Sequence, residues 1–336
     1  MKAFLKLAAV AAAVGAAAVP AHAAEYSWKP DKPVSIIVPW AAGGSTDQAT
    51  RVVAAELEKA LGQPFVIINQ PGASGSIGTT TAMRAPLDGF TWAAGAVGDL
   101  GSYGVLGMVE TKAEDWNLFF SVANVSVLGA NMDTPYKTAK DAIAAMKAKP
   151  GKVSVATAGQ ISSGHNAIEL VAKAAHVTYK HVTYDGGNPA VIATVAGETE
   201  LTTQLAVEQV EMIRAKRLRP LAAISDQPLE IEGFGTVPPV TKDLPNLKTA
   251  TNYFGIWIPK GAPKNVVETM QAVWRDKIAT SAAVKTYAAN RGALFTPIAG
   301  DEAQQKARPI IASNSWALFD AGKAKVSPDT LGITRQ

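Results

Sequence analysis

Four short loops hold the residues of this sequence best suited to chemistry, and the chemistry they suit is the grip of an anion. They are Pro39-Trp40-Ala41-Ala42-Gly43-Gly44-Ser45-Thr46-Asp47, Gln70-Pro71-Gly72-Ala73-Ser74-Gly75-Ser76-Ile77-Gly78, Ala158-Gly159-Gln160-Ile161-Ser162-Ser163-Gly164-His165 and Thr183-Tyr184-Asp185-Gly186-Gly187-Asn188-Pro189. Glycine lets the backbone approach a ligand. A helix starting just after the loop offers free N–H groups and the positive end of its dipole to a carboxylate or phosphate. One such helix end contributes about 0.3–1 kcal/mol when exposed and up to about 2 when partly buried, so useful affinity needs several to converge. Taken singly, each loop is also what an ordinary tight turn requires. Four of one type at comparable positions favour a shared ligand.

Other chemistries fit these residues less well. Gly72-Ala73-Ser74-Gly75-Ser76 has serine where the nucleophile elbow Gly-x-Ser-x-Gly needs its last glycine. No loop is followed by a Walker lysine, and Gly72, Gly75 and Gly78 lack the opening Gly-x-Gly pair of a dinucleotide fingerprint. The absence of cysteine removes disulfides, thiolate nucleophiles and cysteine-based metal sites. His176 and His181 belong to different elements with no carboxylate nearby at a ligand spacing, so neither metal nor cofactor is expected. His165 reads either as a ligand contact or as a helix-start residue bonded to backbone. An exported serine hydrolase acting on carboxylic esters, built from Ser74 or Ser163 with His165, is the alternative to a binding protein. Asp47 reads as a first-turn acid that stabilises its own helix, because a carboxylate there would repel an anionic ligand.

The elements that must position these loops follow one grammar. Val34 to Val38 is a short apolar run that suits a buried strand, and Ala49, Val52, Val53, Leu57, Ala60 and Leu61 fall on one face of the helix that follows. Ser45 or Thr46 is placed to cap its start, and Gly62 sits where a C-terminal cap belongs. Phe65 to Asn69 repeats the pattern, with a small-residue helix ending near Pro86 and a strand from Phe90 to Ala94. Val153 to Thr157, a helix to about Ala175 and a strand from Tyr179 to Val182 repeat it again. Asn188 and Pro189 then suit the cap and first position of another helix. Strands alternating with helices predict parallel α/β sheets, whose ligands bind outside the carboxyl ends of the strands.

The N-terminus and composition bound the setting. Lys2 and Lys6 precede an apolar stretch from Leu7 to Val19, and Pro20-Ala21-His22-Ala23 ends in a small-x-small pattern; this predicts a signal peptide cleaved after Ala23 and a periplasmic mature protein. The apolar stretch, about 13 residues, is short for a spanning helix, which needs about 20. The formal charge is +4, but Lys2 and Lys6 leave with the leader, and the remaining basic residues are scattered. Neither nucleic acid nor a membrane surface is therefore an expected partner.

The ordered set of motifs resembles the tripartite tricarboxylate transporter substrate-binding proteins, the TctC or Bug receptors. The resemblance is carried by the first two loops, Leu61-Gly62-Gln63-Pro64, Pro86-Leu87-Asp88-Gly89-Phe90-Thr91, Thr134-Pro135-Tyr136-Lys137-Thr138, Pro150-Gly151-Lys152, Ser162-Ser163-Gly164-His165, Tyr184-Asp185-Gly186-Gly187 and Lys260-Gly261-Ala262-Pro263. It implies an α/β, two-lobed periplasmic binding protein of the type II-like, Venus-flytrap kind. Lobe one would be discontinuous, 24–124 and 247–336, and lobe two 125–246. It also implies a non-enzymatic, monomeric receptor that takes a small organic carboxylate, dicarboxylic or aromatic, to inner-membrane permease subunits like TctA and TctB. Carried over by position, one end of the ligand would meet Trp40, Ala42, Gly43, Gly44, Ser45, Thr46, Gly72, Ala73, Ser74, Gly75 and Ser76. The other would meet Gly159, Ser162, Ser163, Gly164, His165, Tyr184, Gly186, Gly187 and Gln204. An acidic residue is frequent in the family where this chain has Gln204, which speaks against a ligand ammonium on that side; Trp40 stands where phenylalanine is common.

Overall fold

The computed structural model describes residues 26–335, so the leader expected over residues 1–23 lies outside the described residues. The strand and helix pattern of the sequence is realised as two sheets with helices packed on them. Strands β1 (Val34–Val38), β2 (Phe65–Asn69) and β3 (Thr91–Ala96) run parallel, with α1 (Ser45–Leu61) and α2 (Ser76–Arg84) as crossovers. β3 leads directly into α3 (Val97–Val105), and β4 (Trp116–Asn124), in the same sheet, is its last strand before the chain crosses over.

The second sheet begins two residues later with β5 (Val127–Asn131). After α4 (Ala139–Ala148), the repeat resumes as β6 (Ser154–Thr157), α5 (Ser163–Ala175), β7 (Lys180–Thr183) and α6 (Gly187–Val195). β8 (Leu201–Thr202), α7 (Ala206–Arg214) and β9 (Leu218–Ala223) complete it, and a small hairpin, β10 (Leu229–Ile231) with β11 (Gly235–Val237), lies beside it. The chain returns through β12 (Asn252–Pro259), followed by α8 (Lys264–Val273), α9 (Ala282–Arg291), β13 (Ala293–Ala299) and α10 (Gly300–Asp320). Strand order is β13-β4-β12-β3-β1-β2 in the six-stranded sheet and β7-β6-β8-β5-β9 in the five-stranded one. Each sheet is the floor of one lobe, and lobe one is built from both ends of the described chain.

The two lobes are packed differently. Lobe one is aromatic: Trp92 lies against Trp28 and Phe65, Trp116 against Trp257, and Phe119 against Trp274, with ring centroids 5.3–6.3 Å apart. Lobe two is aliphatic, around Leu128, Ile143, Val155, Ile168, Val171 and Leu201; Leu247, shortly before the chain returns to β12, still packs in this core. Large flat side chains interlock with few rotamers, which makes lobe one a stiff base for the loops at its strand ends.

Two helix starts differ from their sequence reading. The N-cap of α1 is Gly44, which has no side chain to donate to the task, and α6 begins at Gly187 with Gly186 as its cap, so Pro189 is the third helical residue rather than the first. Its missing N–H is harmless there too, since the first four N–H groups of a helix have no internal partner. The end of α1 is as expected: Gly62 takes the left-handed conformation, φ 76°, and its N–H bonds Glu58 O at 2.8 Å.

Gly255 tests the packing of lobe one. It lies at an irregularity in the β12–β4 ladder, and a Cβ there would overlap the Phe119 carbonyl. Gly255→Ala is expected to cost about 1–3 kcal/mol of stability by overpacking. A denaturant titration with an unchanged midpoint would contradict this placement.

Candidate functional site

The four loops lie at the carboxyl ends of β1, β2, β6 and β7 and meet across the cleft between the lobes. Glycine is needed where they touch. A Cβ on Gly43 would stand 2.9 Å from Asn188 Nδ2, one on Gly186 2.9 Å from Ala41 Cβ, and one on Gly159 2.8 Å from Ser74 Oγ. Ser74 Oγ also accepts the Gln160 N–H at 3.2 Å, tying the second loop to the third.

The first loop is folded onto its own helix by Asp47. One carboxyl oxygen accepts the Gly43 N–H at 2.9 Å and Arg51 Nε at 2.9 Å, and the other accepts Asn69 Nδ2 at 2.9 Å. Burial pushes this carboxyl upward, but the bonds from Arg51, Gly43 and Asn69 outweigh it and hold the group below its usual range. Asp47 is thus an internal brace of the loop.

The free start of α1 is occupied from the other lobe. Glu208, in the first turn of α7, reaches across so that Oε1 accepts the Ser45 N–H at 2.9 Å while Oε2 accepts the Leu205 N–H at 3.2 Å. With its amide oriented to satisfy both neighbours, Gln204 donates to Oε2 at 2.9 Å and accepts from the Ala158 N–H at 2.9 Å. A Cβ on Gly187, in the first turn of α6, would overlap the same carboxylate. The starts of α1, α6 and α7 therefore surround one buried carboxyl. Burial raises its affinity for a proton, and the bonds from Ser45 and Leu205 only partly offset that.

Between these groups lies a cavity of about 30 Å³, lined by Trp40, Gly44, Ser45, Thr46, Ala96, Asp99, Ala158, Ser162, Ser163, Gly187, Gln204, Leu205, Glu208 and Phe254. That is room for little more than a water molecule, so a ligand of several carbons enters only when the lobes part. Of the residues singled out in the sequence, Trp40, Gly44, Ser45, Thr46, Ser162, Ser163, Gly187 and Gln204 line this space. Gly43, Ser74, Gly159 and Gly186 make the loop-to-loop contacts beside it. Gly75 backs it, since a Cβ there would stand 2.7 Å from the Tyr103 hydroxyl and 3.2 Å from the Trp40 ring. Gly164 packs on the Gln204 amide and Gly72 on Ile77. Ala42 and Ala73 are exposed, the Ser76 hydroxyl turns back to Ala73 O, and the Tyr184 hydroxyl points away to Glu198.

His165 lies behind the cleft. Its Nδ1 pairs with Gln160 O at 2.5 Å, its Nε2 is 3.3 Å from Glu169, and its ring stacks on His181 at 4.2 Å. Ser163 Oγ accepts instead from Asn252 Nδ2 at 2.8 Å, and Ser162 Oγ caps α5 through the His165 N–H at 3.2 Å. Neither Ser74 nor Ser163 hydrogen-bonds His165, so the ester-hydrolase constellation is not assembled. Sequence reasoning missed Ala96, Asp99, Leu205, Glu208 and Phe254, which come from the end of β3, from α3, from the cap and first turn of α7 and from β12, and carry no local motif.

Two α/β lobes closing on a cleft ringed by helix starts define a solute-binding receptor of the periplasmic kind. The sequence profile described as tripartite tricarboxylate transporter family receptor matches residues 49–315, and the chain belongs to that family. A UPF0065 protein of Pseudomonas sp. (strain P51) is 31% identical over 72% of this chain and 73% of its own length. A solved structure described as a periplasmic transporter superposes with a TM-score of 0.78 at 27% identity, covering 89% of this chain and 99% of that one. The same fold is found in the MatC protein of Rhodopseudomonas palustris, solved with bound malate, with a TM-score of 0.77 at 24% identity over 86% of this chain and 99% of that one.

The cluster behind the cleft sets an acid limit. Burial lowers the His181 imidazole to about 4, and the neighbouring His165 and Lys323 push it the same way. Burial works to raise Glu169, but bonds from His165, Tyr179 and Lys323 prevail and hold it far below the usual carboxylate range. A histidine depressed by folding contributes stability above its unfolded value of 6.5, and that contribution is lost as pH falls toward about 4. Glu169 adds a loss of the same sign at lower pH. Thermal unfolding across this window should therefore show a falling midpoint, shallower in His181→Gln, whose side chain can still bond Thr157. Parallel curves for the two proteins would remove His181 from the account.

Proposed function

We propose that this receptor captures a small organic carboxylate in the periplasm and presents it, as a monomer, to permease subunits like TctA and TctB. In this reading the leader over residues 1–23 is cleaved on export. The observation that carries it is the Glu208 carboxylate held by the Ser45 N–H at 2.9 Å: the start of α1 binds a carboxylate that the protein itself supplies. An incoming carboxylate is offered the same N–H once the lobes separate, with the start of α2 nearby. Membership in a receptor family supports the same reading, and no observation favours the hydrolase alternative.

A thermal-shift screen of mono-, di- and aromatic carboxylates tests it. A ligand at one hundred times its Kd adds about 2.7 kcal/mol to the native state, which at this size raises Tm by about 4 °C. A flat response to every carboxylate would sink the proposal.

Glu208 competes with the ligand for the start of α1, so Glu208→Gln should tighten the best acid of that screen by about tenfold; the gain, near 1.4 kcal/mol, lies within what a partly buried helix end supplies. Titration calorimetry reads it directly. Weaker binding in a folded mutant would mean that ligand and Glu208 occupy different places.

A further inference from the structure

One ionisable group in the cleft wall is left without a hydrogen-bond partner by the protein. Asp99, the third residue of α3, is 1% exposed, and neither of its carboxyl oxygens makes a hydrogen bond. The Trp40 side chain and the Ala96 backbone act on it from nearby, yet neither completes a hydrogen bond to it. Asp47 and Glu208 are equally buried but hold several donors each. Burial raises the Asp99 carboxyl well above its usual range, so without a partner it keeps its proton, and a cationic donor that reached it would let it ionise.

The surroundings narrow what that something is. The cavity is lined by two acids, Asp99 from lobe one and Glu208 from lobe two, and by no lysine, arginine or histidine. Glu208 is already satisfied by Ser45, Leu205 and Gln204. Beside Asp99 the wall is apolar and aromatic, with Trp40, Ala96 and Phe254. Among aromatic side chains, this carboxyl can pair with a cationic N–H donor, a contact that ionises it and satisfies its oxygens together, whereas a ligand carboxylate would meet no basic side chain in this lining.

We infer that Asp99 is a specificity-determining residue that receives a cationic, N–H-donating end of the ligand, so that the cargo is a zwitterionic amino acid rather than a plain dicarboxylate. The neutral Gln204 speaks against an ammonium on the lobe-two side; Asp99 supplies the missing acid from lobe one. The inference rests on the carboxylate-receptor reading and names the ligand class within it.

Titration calorimetry of the full chain with matched pairs tests it: β-alanine against succinate, γ-aminobutyrate against glutarate, and δ-aminovalerate against adipate. Members of a pair differ only by an ammonium in place of one carboxylate, and the α-amino acids of similar size are run alongside. At least one amino acid should bind tenfold or more tightly than its dicarboxylate partner, and Asp99→Asn, nearly isosteric and checked by circular dichroism, should erase that preference. Dicarboxylates that bind as well as or better than amino acids in the wild type overturn the inference while leaving the receptor reading intact, and this arm needs no mutant. A preference that survives Asp99→Asn removes the role from Asp99. If no acid of either class binds, in this series or in the wider screen, the receptor reading falls and the inference with it.

Discussion

The contact between Glu208 and the start of α1 organises the cleft. A helix capped by glycine leaves its first N–H groups without a side-chain acceptor, and a buried carboxylate without donors is costlier still. Each defect answers the other only when the lobes are together. The hydrogen bond from Ser45 to Glu208 is therefore conditional on closure, unlike the bonds inside either lobe. Its geometry constrains the neighbours. Gly187 has to lack a side chain because a Cβ would overlap Glu208, Gly43 and Gly186 have to let loops from opposite lobes touch, and Gln204 has to turn its amide so that one end serves Glu208 and the other Ala158.

This arrangement separates two kinds of interlobe interaction. At the rim, Lys173 reaches Asp320 at 2.6 Å, a pair whose lysine is largely exposed. Exposed pairs of this kind contribute little and are screened by salt. At the centre, the Glu208 contact is buried and sterically defined. A ligand shifts the balance between open and closed forms only by its difference in affinity for the two. For this receptor that difference is measured against Glu208, because an anion at the start of α1 has to do better than the carboxylate already there.

How much of this was legible in the sequence depended on whether the signal was local. The buried strand runs and the αL cap at Gly62 were readable because each depends on residues within one helical turn or one strand; Asp47 was readable only as a first-turn acid of its own helix, and its bond from Asn69 on the next strand was not. The cap of α1 was not. Ser45 and Thr46 are good capping residues by type, but the role passed to a carboxylate 163 positions away, which no local pattern announces. His165 looked like a ligand group because it sits in a glycine-serine loop; its ring instead turns toward Glu169 and His181, where stacking and hydrogen bonds satisfy it. Tyr184 shares a loop with Gly186 and Gly187 yet directs its hydroxyl outward, since loop membership fixes the backbone and not the side chain.

The same distinction bears on how such a receptor acquires its ligand. Backbone N–H groups at helix starts recognise a carboxylate but not the molecule behind it, because every carboxylate presents the same two oxygens. Discrimination needs side chains whose charge and shape differ from one receptor to another. In this chain Asp99, Glu208 and Phe254 project from α3, α7 and β12 into the space the loops enclose. The loops themselves are held by glycine contacts that tolerate almost no change. Asp99 takes part in none of those glycine contacts, whereas Glu208 packs on Gly187 and holds the Ser45 N–H, so a change at 208 also alters the start of α1.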